Sequence, residues 1–149
     1  MSKRRLQLVI DGHLGNVAPL GHAVRAVCLG AGLGAAAAAE VELSVVEAVN
    51  NSIEHAYRER AGEVRVSLQL GDETIEVRVC DTGQAMPEGT LARASMPQFN
   101  PDQLALLPEG GMGLGIVKEL MQDLHYESRD GENVLTMSRR TGAMPPPPK

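Results

Sequence analysis

Aromatic side chains are almost absent from this chain, which has two tyrosines, one phenylalanine and no tryptophan in 149 residues. Tyr57, Phe99 and Tyr126 are too few and too scattered to build a platform on which bases stack. A basic field is missing as well, the formal net charge being −5, so the counterion-releasing surface of a nucleic-acid binder is not expected. Cysteine is scarce: Cys28 and Cys80 lie far apart and form no metal-binding or redox spacing, which points to a reducing, cytoplasmic setting. No apolar run is long enough to span a bilayer. The basic start, Met1-Ser2-Lys3-Arg4-Arg5, leads into Leu6–Asp11, which is too short and too interrupted for a signal peptide. These absences leave a protein partner or a small ligand.

The length suits one domain with its own core and is tight for two. Alternation of Leu6, Leu8 and Ile10 predicts a strand over 5–10. Asn16 as N-cap predicts a helix to about Leu29, with Leu20, Val24, Val27 and Cys28 inward. The glycines of 30–34 break the chain. A second helix is predicted from about Ala35 to Arg58: it opens with five alanines, the strongest helix formers, and buries Val41, Val45, Ala48, Val49, Ser52, Ile53 and Ala56. Val64, Val66, Leu68 and Leu70, then Ile75, Val77 and Val79, alternate on either side of Gly71-Asp72 and predict a hairpin. Residues 82–110 lose all periodicity and carry Pro87, Pro97, Pro101 and Pro108, as a functional or disordered loop does. A third helix is predicted from about Gly113, with Leu114, Val117, Leu120, Met121 and Leu124 inward. Strands His125–Arg129 and Val134–Arg139, turned by Asp130-Gly131, close the domain. The expected architecture is α+β: a two-layer sandwich with a mixed, mostly antiparallel sheet covered on one face by helices. The domain would occupy 1–140, and 141–149 would be an extended Pro-rich tail.

Three short pieces carry chemistry. Glu47, Asn51 and His55 recur every fourth residue and so share one side of the second helix. A carboxylate beside a carboxamide suits Mg²⁺, a hard cation satisfied by few protein oxygens, or proton transfer from a hydroxyl; it also suits a solvated helix edge. Asp81-Thr82-Gly83 follows a strand. A carboxylate there can accept a hydrogen bond from an exocyclic amine such as that of adenine, and Gly83 would let the backbone pass close to a flat ring; the same tripeptide also makes an ordinary turn. Gly111-Met112-Gly113-Leu114-Gly115-Ile116 opens a helix whose free amides suit phosphate oxygens. Within that helix Gly115 costs about 1 kcal/mol relative to alanine, so close packing or close ligand approach must offset it. No strand precedes this run, against a dinucleotide fold, and no Gly-Lys-Ser or Gly-Lys-Thr occurs, against a Walker loop.

In this order, from about Leu6 to Arg140, the three pieces resemble the Bergerat-fold ATPases, and most closely the anti-sigma-factor serine/threonine kinases of bacterial partner-switching systems. Glu47–Tyr57 is similar to that family's N-box, Asp81-Thr82-Gly83 to its first glycine box and Gly111–Ile116 to its second. The resemblance implies a Bergerat ATP-binding fold with ATP and Mg²⁺ as ligands. It implies Glu47 as general base, Asn51 as Mg²⁺ ligand, Asp81 as partner of the adenine amine and Gly83 as shaper of the adenine pocket. Gly111, Gly113 and Gly115 would hinge a lid of residues 84–110 and cradle phosphates, and Thr136 would approach adenine from the last strand. Ala85 departs from the family, which has a second glycine there, and Arg93 is the single basic residue of the lid. The implied partners are a small antagonist protein phosphorylated on Ser or Thr and a sigma factor or other regulator, with dimerisation expected and no nucleic acid or membrane. A nucleotide-gated binding module with little kinase activity is the alternative, disfavoured because binding alone needs no base. A detached histidine-kinase catalytic domain is less expected, because no helix with a phospho-acceptor histidine precedes residue 5.

Overall fold

A computed structural model describes residues 3–57, 62–95 and 113–141. Strand β1 (Arg4–Asp11) leads into helices α1 (Val17–Gly30) and α2 (Ala35–Asn51). The hairpin β2 (Glu63–Leu70) and β3 (Thr74–Asp81) follows, then the one-turn helix α3 (Thr90–Arg93), helix α4 (Gly113–Leu120), and the hairpin β4 (Gln122–Arg129) and β5 (Glu132–Arg140). The strands form one sheet in the order β1-β2-β3-β5-β4. Every neighbouring pair is antiparallel, so the sheet is antiparallel throughout rather than mixed.

Strict alternation decides which sheet face meets the helices. Val64, Val66 and Leu68 of β2, Ile75 and Val77 of β3, and Met137 of β5 are fully buried on one face, in one core with Val24, Cys28, Val41, Val45, Val49 and Val117 of the helices. Removing any of these medium-sized apolar side chains would leave a cavity costing about 2–5 kcal/mol where the change is Leu or Ile to Ala. The opposite face carries Arg65, Ser67, Glu76, Arg78 and Thr136, half-buried or exposed. Burial also raises the Cys28 thiol to about 11, so this cysteine behaves as a core residue.

Four local expectations change. Asn16 holds the N-cap position of α1, but its side chain turns back to donate to the Asp11 carbonyl (3.1 Å). The second helix is α-helical only to Asn51 and continues as a π-helical turn, Ser52–Ala56. The Ala56 carbonyl, free at the helix end, accepts from the Gln84 amide (3.0 Å), and Arg58 lies outside the described residues. Helix α4 ends at Leu120 and β4 begins at Gln122; Asp123, at φ 52°, lies where the pairing of β4 with β5 shifts register, between Gln122 and His125. Leu124 therefore packs on the core from a strand. The aperiodic stretch contains α3, launched by Gly89 at φ 81°. Residues 96–112 and the tail at 142–149 lie outside the described residues.

Candidate functional site

A cavity of about 590 Å³ opens between α2, its π-helical turn, the ends of β3 and β5, the segment 84–94 and the start of α4. That volume is in the range of small-molecule sites. Val79, Leu135, Leu114 and Met86 give it apolar walls, and Glu47, Asn50, Asn51, Glu54 and Asp81 give it oxygen donors. Arg93 is the sole arginine or lysine among its described lining residues.

The two ends of the cavity are built differently. At one end the Asp-Thr-Gly turn is pinned residue by residue. Asp81 is buried, 7 % exposed, and its Oδ1 accepts from the Gly83 amide (3.1 Å) and from Asn133 Nδ2 (2.7 Å). The Thr82 amide donates to the Tyr57 hydroxyl (2.8 Å), which in turn donates to the Glu63 carbonyl (2.7 Å). Gly83 presses against Ala56: a Cβ at Gly83 would lie 2.6 Å from the Ala56 carbonyl carbon and 2.7 Å from its Cβ. The glycine is therefore required by backbone packing against the π-helical turn, whatever passes over it. Gly83→Ala is expected to destabilise the fold by about 1–3 kcal/mol through overpacking, read as a lower Tm in thermal melts. An unchanged Tm would mean that the turn moves off Ala56 at no cost.

At the other end Glu47 faces the start of α4. A Cβ at Gly113 would stand 2.7 Å from Glu47 Oε2, so only glycine leaves that carboxylate its place. Burial, together with the Glu54 carboxylate, holds the Glu47 carboxyl above its ordinary range. Asn51 lies one turn on, its Nδ2 3.6 Å from Met86 Sδ.

Besides the bond from Gln84 to Ala56, segment 84–94 is fastened over the cavity at two further points. The Met86 amide donates to the Tyr126 hydroxyl (2.9 Å). Lys118 Nζ, from α4, donates to the carbonyls of Leu91 (3.1 Å), Ala92 (3.3 Å) and Ala94 (2.8 Å). A cation on the last carbonyls of α3 is a favourable helix-end contact.

Of the residues singled out from sequence, Glu47, Asn51, Asp81 and Gly113 line this one cavity, as does His55. Gly115 is buried inside α4, and Gly111 lies outside the described residues. Thr136 stands elsewhere. Across the sheet Val79, Leu135 and Tyr126 form one row that lines the cavity, whereas Arg78, Thr136 and His125 form the next row, which strand alternation turns to the opposite face. Leu135 takes the position expected of Thr136. Asn133, Tyr57, Tyr126 and Lys118 escaped sequence reasoning. Only the β3–β5 register, which sets Asn133 opposite Asp81, reveals the first of them.

A helix-covered antiparallel sheet whose strand ends, second helix and last helix enclose one cavity defines an α+β small-ligand-binding domain. The chain belongs to the histidine kinase-like ATPase domain family, whose model matches residues 11–139. Among curated proteins it is 30% identical over 96 residues to the serine-protein kinase RsbW of Bacillus cereus (strain ZK / E33L) and to that of Bacillus mycoides (strain KBAB4). Each match covers 64% of this chain and 60% of the relative. Among solved structures, the histidine kinase domain of the Erythrobacter litoralis EL346 blue-light activated histidine kinase aligns with TM-score 0.53 and 20% identity. That alignment spans 84% of this chain and 59% of the other, and it establishes the shared fold. No helix among the described residues is long and apolar enough to cross a membrane.

Proposed function

We propose that this chain is an ATP-dependent serine/threonine protein kinase of a cytoplasmic partner-switching system. It would phosphorylate a small antagonist protein and hold a sigma factor or another regulator. The observation that carries this reading is the placement of Glu47: a carboxylate with a raised pKa, inside the cavity, against the glycine that opens α4. Nucleotide binding alone has no use for a base at that position.

The cavity's chemistry fits the ligands. Adenine suits the apolar walls of Val79, Leu135 and Met86, with its amine at Asp81. The triphosphate suits the other end, at the α4 N-terminus, and Arg93 in the lining supplies a positive charge to the cavity. Hard oxygen donors line the cavity, which is what Mg²⁺ prefers when phosphates complete its shell. Asn51 is the residue that would hold the ion, whose contribution would be to neutralise phosphate charge. Glu47 would orient the incoming hydroxyl and take its proton. Segment 84–94 would exclude water. Catalysis would consist of positioning and charge neutralisation, as is usual for phosphoryl transfer.

The test is incubation of the protein with labelled ATP, Mg²⁺ and its cognate antagonist. Label is expected on a serine or threonine of the antagonist. Tight ATP binding with no transfer to any antagonist would replace the kinase by a nucleotide-gated binding module.

A further inference from the structure

Asn133 occupies a position to which the proposed phosphotransfer assigns no role. It is almost fully buried, 2 % exposed, on β5. Its carboxamide makes three hydrogen bonds that together fix its orientation. Nδ2 donates to Asp81 Oδ1 (2.7 Å) and to the Gly83 carbonyl (2.9 Å), and Oδ1 accepts from the Ser128 hydroxyl (2.7 Å). Two acceptors on one side and a hydroxyl that can donate on the other leave one consistent assignment of the amide. Asp81, Asn133 and Ser128 are direct cross-strand partners on β3, β5 and β4, so the three side chains form a row over the sheet, next to the row of Val79, Leu135 and Tyr126.

This row has a consequence for the carboxylate. Both hydrogen bonds that Asp81 accepts among the described residues end on Oδ1. The same amide grips the Gly83 carbonyl, so Asp81 and the turn after it are held as one body. The carboxylate plane is thereby set, and Oδ2 remains for a ligand, since Asp81 lines the cavity. A buried carboxylate without such a donor would be free to turn, and a turned carboxylate would discriminate poorly among ligand groups.

We infer that Asn133 is the positioning residue that sets base specificity, holding Asp81 so that its free oxygen selects a purine bearing an exocyclic amine. This rests on the proposed nucleotide site and adds to it the residue that enforces the choice of base. Asn133 touches no ligand; it acts through Asp81.

The experiment compares affinities for ATP and for purine riboside triphosphate, which is ATP without the amine, in wild type and variants, with thermal melts of each. Wild type is expected to prefer ATP by about tenfold or more, the value of one hydrogen bond to a charged acceptor. Asn133→Leu, of similar volume without a donor, should bring the two affinities within about twofold to threefold of each other, because the hydrogen bond that only ATP can make is no longer formed. Asn133→Thr suits a strand and keeps one donor that cannot reach both acceptors, so it should retain part of the preference. It decides the matter should Asn133→Leu fail to fold. A structural role alone would lower the Tm and weaken both nucleotides equally; an unchanged ATP preference in a folded variant overturns the inference. A wild type with no preference removes Asp81 as amine partner, and a wild type that binds neither nucleotide overturns the nucleotide site itself, each taking the role of Asn133 with it.

Discussion

Glu47→Gln is expected to slow phosphoryl transfer to the antagonist by about 10²–10⁴-fold, the usual contribution of a positioned general base, while ATP with Mg²⁺ still binds. Glutamine keeps the shape and removes the charge. Affinity should hold or tighten, because a carboxylate beside the phosphates repels them. The pH profile gives a second signature. As a general base Glu47 would work only when ionised, and burial and Glu54 raise its pKa. Wild-type transfer should therefore decline, as pH falls, at values above the ordinary carboxylate range, whereas the residual rate of Glu47→Gln should lack that titration. Gly113→Ala probes the same group from the other side, because its methyl would enter the space of Oε2. It should depress transfer although alanine favours the helix itself by about 1 kcal/mol. Wild-type transfer by Glu47→Gln, measured in single turnover, would end the general-base assignment.

Asp81→Asn is expected to weaken ATP and ADP alike, by about tenfold or more, because in the proposed site Asp81 would serve the base, which the two nucleotides share, and not the phosphates, in which they differ. The effect has two sources. The ligand amine loses a charged acceptor. Asn133 Nδ2, now 2.7 Å from an amide rather than a carboxylate, also loses its strongest partner unless the new side chain presents its oxygen there. Presenting that oxygen to Asn133 aims the NH₂ group at the ligand, donor against donor. Calorimetric titration settles it: equal affinities in mutant and wild type would take Asp81 out of the site.

The parts of the site that are legible in sequence share a physical property: each is encoded within a few consecutive residues. Glu47 and Asn51 are related by one helical turn, Asp81 and Gly83 by one tight turn, and Gly113 by its place at a helix start. The apolar alternation of β2 and β3 likewise announces its own face. Illegible are contacts whose partners lie far apart along the chain. Tyr57 reaches Thr82, Met86 reaches Tyr126, and Lys118 reaches back to Leu91. Thr136 shows how the two kinds of information differ. The strand itself is evident from pattern, but which of two adjacent residues faces the cavity depends on parity, and parity follows from pairing with β3. The end of α2 differs from its periodicity for a similar reason. Its π-helical last turn ends on the Ala56 carbonyl, whose partner is the Gln84 amide, a residue distant in sequence that periodicity cannot reveal.

The connection between β3 and α4 begins and ends at the cavity, since Asp81 and Gly113 both line it. Its near end is fixed by Tyr57, Asn133 and Ala56, and its far end leads into a helix packed on the core. Closing a loop between anchored ends costs entropy that grows only with the logarithm of length, about 0.6 kcal/mol per doubling. Lengthening this connection would therefore cost the sheet and the long helices little. Under the proposed nucleotide site, insertions between these two anchors would give evolution a way to retune nucleotide capture and release without rebuilding the scaffold.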